Sequence, residues 1–286
     1  MKILVTGATG QLGSAIVKTF AGAHDVIACA LEDLDITSHD RVAQRVRDAR
    51  PDVIINCAAY NEVDASEDHG DIALEVNAFG VLSLARAAQQ AGAVLVHYGT
   101  DFVFAGDVTR PYTEEDAPSP QGFYAMSKLL GEWFARDAGR WYVLRVESLF
   151  GGFALGSSHR SSVDRITDAL FEGREAVVFT DRTASPSFVV DVAGATRAII
   201  EQGPPCGLYH CVNSGCCTWY EMAQELARAA GIERPQLQPR RCADVKLRVR
   251  RPVYAALSNA KLAAAGITMP AWQDAIARYV RIRKAP

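Results

Sequence analysis

No stretch of this sequence is both long and uniformly apolar. Its hydrophobic runs are strand-sized and broken by glycine or charge, so the roughly 20 consecutive apolar residues of a membrane-spanning helix are missing. The start, Met1-Lys, reaches Gly7 too soon to hold the apolar segment of a secretion signal. A cytoplasmic protein without a membrane partner is expected. Neither sign of charge is in large excess, with 30 Lys and Arg against 33 Asp and Glu and a net charge of -3. That balance lacks the basic surplus of a nucleic-acid binder. The seven cysteines lack a framework: their number is odd, and Cys206, Cys211, Cys216 and Cys217 do not have the paired spacing of a zinc site. Reduced thiols and no metal are expected. Internal repeats and low-complexity segments are missing too. What is present is 286 residues, 49% of them hydrophobic, enough chain to bury a large core.

The most ordered signal comes first. Lys2-Ile-Leu-Val-Thr reads as a short buried strand that runs into Gly7-Ala-Thr-Gly-Gln-Leu-Gly13 and then into the helical Ser14-Ala-Ile-Val-Lys-Thr-Phe20. Strand, glycine turn and helix in this order form a dinucleotide cradle. Gly7 permits the turn, Gly10 lets backbone N–H groups approach a pyrophosphate, and Gly13 lets helix pack on strand. In all, strands are predicted at Lys2–Thr6, Asp25–Cys29, Val53–Asn56, Val94–Tyr98 and Trp141–Arg145, alternating with helices near 11–21, 39–49, 71–91 and 122–138. The alternation predicts an α/β fold, a Rossmann-type doubly wound parallel sheet, over residues 1–150. After Leu149 a glycine-rich stretch leads into smaller elements. Residues 151–286 are expected to form a smaller C-terminal α/β substrate-binding lobe, with the chain able to cross back to the main domain. Two features in it are sharp: Thr218-Trp-Tyr-Glu221 is a capping box opening a helix over 219–230, and Pro270 starts a terminal helix. Pro186 is expected to precede a strand or a return helix.

A second constellation carries chemistry. Tyr124 and Lys128 stand four residues apart, on one face of a helix, and Thr100 lies upstream in His97-Tyr-Gly-Thr-Asp-Phe102. Such pairs also occur on solvated helix faces, but here the trio follows a dinucleotide cradle. A Lys128 ammonium beside the Tyr124 phenol would pull its pKa down from about 10 towards working pH, fitting it for general acid–base work on a carbonyl or alcohol. Thr100 would orient the same oxygen.

These residues resemble the extended short-chain dehydrogenase/reductase superfamily, and within it most closely the dTDP-4-dehydrorhamnose reductase family. The likeness spans nearly the whole chain through Val5-Thr-Gly-Ala-Thr-Gly-Gln-Leu-Gly13, Leu34-Asp-Ile-Thr37, Pro51-Asp-Val-Ile-Ile-Asn-Cys-Ala-Ala-Tyr60, Val63-Asp64, Asn77, Thr100-Asp-Phe-Val-Phe-Ala-Gly106, Tyr124 to Glu132, and Arg251-Pro252. The resemblance implies an NAD(P)H-dependent reductase of a nucleotide-linked 4-keto-deoxysugar, with Tyr124 as general acid and Thr100 and Lys128 beside it. It places the cofactor against Gly7, Thr9, Gly10, Gln11, Leu12, Gly13, Asp35, Ile36, Cys57, Ala58, Ala59, Tyr60, Asn77, Tyr124 and Lys128. Asn77 would support the active-site helix or a proton relay, or would be only a helix-interior contact. The substrate would meet Val63, Asp101, Phe102, Ser148 and Arg251. A homodimer is open by family analogy.

The chain departs from the family where sugar is expected. Gly99-Thr-Asp-Phe102 stands for Ser-Thr-Asp-Tyr, and Arg145-Val-Glu-Ser148 for Arg-Thr-Ser-Trp. Phe102 has no hydroxyl to donate and Ser148 no indole wall, so a sugar other than 4-dehydrorhamnose, or none, is expected. The second strand ends at Ala30 without the acid that binds a ribose 2'-hydroxyl, which favours NADP(H) and leaves NAD(H) open, since Glu32 and Asp33 follow. The basic run from Pro239 to Pro252 is either a grip for a nucleotide diphosphate or a solvated loop, with Arg160 and Arg182 weaker candidates of that kind. Two other functions stay open. One is an epimerase or dehydratase, against which the missing acidic pair after Thr100 counts; the other is a non-catalytic NAD(P)-binding regulatory subunit.

Overall fold

The structure of the protein, a computed structural model, describes residues 1–284 other than Ser158 and Leu247. The strands that read as unbroken apolar runs lie at the centre of one parallel sheet. They are β1 (Lys2–Thr6), β3 (Val53–Asn56), β4 (Val94–Thr100) and β5 (Trp141–Val146), flanked by β2 (Asp25–Cys29) and β10 (Gly207–His210) in the order β10-β5-β4-β3-β1-β2. Burial on both faces explains the runs, since helices cover each side. On one face α1 (Gln11–Phe20) packs with α7 (Val189–Gln202) over Ile3, Val5, Val96 and Leu144. On the other, α2 (His39–Ala49) and α4 (Gly80–Ala91) cover Leu4, Ile54, Leu95 and Val143. Strand order reverses between β1 and β3. A crevice therefore opens at their carboxyl ends, which is where such sheets bind ligands.

The predicted single helix over 71–91 is three pieces: α3 (Gly70–Leu74), a π-turn (Glu75–Phe79) and α4. Asn77 sits in the π-turn. Such turns cluster at functional sites because they re-aim one side chain without ending the helix. The predicted helix over 122–138 is α5 (Phe123–Phe134), closed by a tighter turn at Ala135–Ala138.

Residues 151–286 do not stay together as one lobe. After β6 (Leu149–Phe150), α6 (Ser162–Phe171), β7 (Ala176–Phe179), β8 (Thr183–Ala184) and β9 (Ser187–Phe188), the chain returns: α7 packs on α1, and β10 pairs in parallel with β5 at the edge of the main sheet. It then leaves through β11 (Cys217–Thr218), α8 (Trp219–Ala230) and β12 (Leu237–Arg240), and ends with α9 (Ala260–Ala264) and α10 (Trp272–Lys284). The smaller core lies between α6, α8 and α10, around Phe150, Ile166, Met222, Leu226, Ile276 and Tyr279. Two of its helices, α6 and α8, start on capping boxes, Ser161 with Asp164 and Thr218 with Glu221. Tyr279 donates to Asp164 at 2.7 Å, and Arg283 to Asp168 at 2.7 Å.

Candidate active site

The glycine turn is shaped by close backbone approach. Gly7 has φ +63°, and a Cβ on it would lie 2.6 Å from the Ala58 nitrogen. A Cβ on Gly13 would lie 2.1 Å from the Gly7 carbonyl oxygen, closer than any methyl can come. Gly10 caps α1 without a side-chain hydrogen bond, so the helix offers its first N–H groups to a ligand. Gly152 packs on Gln11 from above, and the Ser157 hydroxyl donates to the Thr9 carbonyl at 3.4 Å. Beside the turn lies a cavity of about 300 Å³ lined by Ala8, Thr9, Ser14, Lys18, Ala30 and Asp33. Cradle, open helix start and cavity fit a dinucleotide.

Other expected cofactor residues divide. Asp35 spends a carboxylate oxygen on Thr37, on its N–H at 2.9 Å and its hydroxyl at 2.8 Å. The Ile36 side chain is core, buried against Gly80, so only its backbone can face a ligand. Leu12 is buried in the α1 core. The stretch Cys57 to Tyr60 follows β3 and is half-buried; burial pushes the Cys57 thiol well above its usual range. Asn77, 1% exposed, holds this stretch in place. It accepts from the Tyr60 N–H at 2.9 Å and donates to the Tyr60 carbonyl at 3.0 Å and the Ser127 hydroxyl at 3.0 Å. Its amide is satisfied by protein, which makes it a clamp between the loop and α5.

Thr100 ends β4, and Tyr124 and Lys128 lie on the buried face of α5, as the four-residue spacing predicts. One expectation fails. Lys128 donates to the Tyr98 carbonyl at 2.7 Å, and the Tyr124 phenol is pushed up from 10, chiefly by burial and then by Asp101. Helix periodicity puts the two on one face, but a long buried ammonium takes the nearest acceptor, and β4 supplies it. Burial pulls Lys128 down to about 8, opposed by Glu132 and Cys57. Tyr124 therefore holds its proton at neutral pH, as a donor to a carbonyl oxygen must. Its hydroxyl reaches Asn61 Oδ1 at 3.4 Å.

On the sugar side, Phe102 meets the Tyr124 ring edge-on at 5.5 Å, with the guanidinium of Arg251 5.6 Å and that of Arg182 5.9 Å from its centroid. Arg251 pairs with Asp64 at 2.8 Å, next to half-buried Val63, and Arg248 pairs with Asp68. The basic run is thus neither a free loop nor a bare phosphate grip: two of its arginines tie it to acids of the main domain. Leu247 within it lies outside the described residues. Ser148, half-buried, has φ +45°, a strained backbone for a residue with a Cβ. Asp101, 3% exposed, accepts from the Thr100 hydroxyl at 3.1 Å and is pushed up to about 6, mainly by burial.

Residues not expected from sequence complete the site. Asn56 links β1 to β4, accepting from the Thr6 hydroxyl at 2.7 Å and meeting His97 Nδ1 at 3.1 Å. Glu132 and Arg145 form a buried pair at 2.8 Å under the β4–β5 ends. Glu147, 1% exposed, accepts from the Ser185 N–H at 2.6 Å. An acid in place of the resembled family's serine was the signal for Glu147; nothing local marks the others.

A glycine cradle at the strand-order reversal and a Thr-Tyr-Lys group beside it narrow the comparison to one kind of protein. The sequence model of the RmlD substrate binding domain family matches residues 1–284. The chain belongs to that family. It is 33% identical to the dTDP-4-dehydrorhamnose reductase of Burkholderia thailandensis, over 98% of each chain. A crystal structure of the Clostridium acetobutylicum dTDP-4-dehydrorhamnose reductase superposes with a TM-score of 0.92, at 33% identity and 100% of both chains. That of Bacillus anthracis, in complex with NADP, gives 0.91 at 31% identity, over 97% of this chain and 98% of that one. Phe102, Glu147 and Ser148 stand where the sequence pattern expected from the family resemblance has other residues.

Proposed function

We propose that this protein is an NAD(P)H-dependent reductase of a nucleotide-linked 4-keto-deoxysugar, with NADP(H) the favoured cofactor. The observation that carries the reading is a protonated, buried Tyr124 next to Thr100 at the carboxyl end of the sheet, beside the glycine cradle. A bound reduced nicotinamide supplies the hydride. Gly7, Gly10 and the first turn of α1 hold the phosphates, Lys128 fixes the α5 face through the Tyr98 carbonyl, and Tyr124 Oη delivers the proton to the carbonyl oxygen. The NADP complex of the Bacillus anthracis relative and the names of the relatives support both cofactor and substrate class. Phe102 and Ser148 tune which sugar is accepted, since neither reproduces the polar or flat contact it replaces.

The test is oxidation of NADPH and NADH, followed at the nicotinamide absorbance, across dTDP-, UDP- and GDP-linked 4-ketosugars. Turnover with one of them, lost in Tyr124→Phe, supports the reading; cofactor binding without turnover on any of them sinks it. We also propose a cytoplasmic homodimer. Phe123, Met126 and Trp133 are exposed along α5, an apolar stripe of the sort that monomers rarely leave open. Sedimentation of Trp133→Glu as a monomer at concentrations where the native chain is a dimer checks it.

A further inference from the structure

Asp101 and Glu147 follow directly on Thr100 and Val146, which are partners in the register of the parallel strands β4 and β5. The two carboxyl groups therefore leave neighbouring strand ends side by side. They are 3% and 1% exposed. Like charges on adjacent strands repel, and two buried carboxylates cannot both stay ionised beside one another. Each also has an oxygen without a donor. Glu147 Oε2 takes the Ser185 N–H and Asp101 Oδ1 takes the Thr100 hydroxyl, while Glu147 Oε1 and Asp101 Oδ2 are buried and unpartnered. A proton shared between the two carboxyl groups would give those oxygens a partner.

We propose that Glu147 is a positioning residue of this reaction: a neutral carboxylic acid that donates to Asp101 and thereby holds Asp101 as the acceptor of the Thr100 hydroxyl, which also takes the Phe102 N–H, so that Thr100 is fixed beside Tyr124 and the Tyr124 proton is left for the carbonyl oxygen. The surroundings agree. Arg182 is the cation that acts on both acids, so two carboxyls sharing one proton with one guanidinium form a neutral cluster. Burial and then Asp101 push Glu147 well above the carboxylate range. Tyr124 from α5 also faces Asp101, and Tyr254 and Cys217 face Glu147. Arg251, paired with Asp64, closes the far side over Phe102. The sequence shows no acidic pair after Thr100; tertiary structure brings the second acid from β5.

This inference rests on the reductase reading, so one readout is kept free of activity. The infrared difference between the native protein and Glu147→Gln at pH 8 is expected to contain the carbonyl stretch of a protonated carboxyl. A difference made only of carboxylate bands overturns the proposal. With NADPH and whichever dTDP-, UDP- or GDP-linked 4-ketosugar the native protein turns over as probe, Glu147→Leu is expected to lose about tenfold in kcat. Its acid limb should move up from near 6, because ionised Asp101 has lost a donor. Glu147→Gln, which can still donate, should recover most of that loss and return the limb. Equal losses in both variants, or a limb that does not move, overturn it. Absence of turnover by the native protein on every ketosugar defeats the reductase reading instead, and the infrared result still decides where the proton is.

Discussion

The two ends of the active-site crevice are built differently. At the phosphate end the walls are backbone: Gly7, Gly10 and Gly13 with the open start of α1. At the proposed sugar end they are acidic and basic side chains from separate elements, with Asp101, Glu147, Arg182 and Arg251 each keeping a buried polar atom without a partner. A backbone cradle tolerates no added atom. A side-chain cluster tolerates exchange if the charge count is kept, which is where a family can change substrate while keeping its cofactor.

Variants at each end can break or sharpen this contrast. The largest effect is expected at the junction: Tyr124→Phe should cut turnover by about 10² to 10⁴, the usual contribution of a general acid, with NADPH affinity measured by fluorescence unchanged. Next, Gly13→Ala drives a methyl into the Gly7 carbonyl. It should cost about 1–3 kcal/mol of stability and weaken NADPH binding, both seen in thermal shifts with and without cofactor. A wild-type shift would mean that the cradle is not backbone-limited.

At the sugar end the signature is pH. Asp101 has its folded pKa raised from 3.8 to about 6. Its stability contribution is therefore full below about 3.8 and lost as pH rises through about 6. In Asp101→Asn, denaturant titrations across that window should show a smaller decline than in the native protein. The smallest effect is at Ser148, whose φ of +45° suits glycine; Ser148→Gly should raise stability by up to about 1 kcal/mol in urea unfolding.

How much was legible follows the same division. The first strand, cradle and helix were readable because their constraints are local: a buried apolar run, then glycines where a Cβ has no room. The Tyr124–Lys128 pair was readable as shared helix face, but not as contact, because the Tyr98 carbonyl that takes the Lys128 ammonium belongs to another strand. The helix over 71–91 hid its π-turn, since a single extra residue leaves the apolar period almost intact. The basic run from 239 to 252 showed charge without partners. Asp64 and Asp68, which hold Arg251 and Arg248, lie far back in the chain.

The sequence by itself determined the class of fold, the glycine turn and the candidates for the reacting side chains, because each depends on residues a few positions apart. Tertiary structure decided that α7 and β10 return to the main sheet, that Asn77 clamps the loop after β3, and that Glu147 stands beside Asp101. Each of these is a meeting of residues distant in the chain. They are fixed by burial and strand register, which no local spacing records.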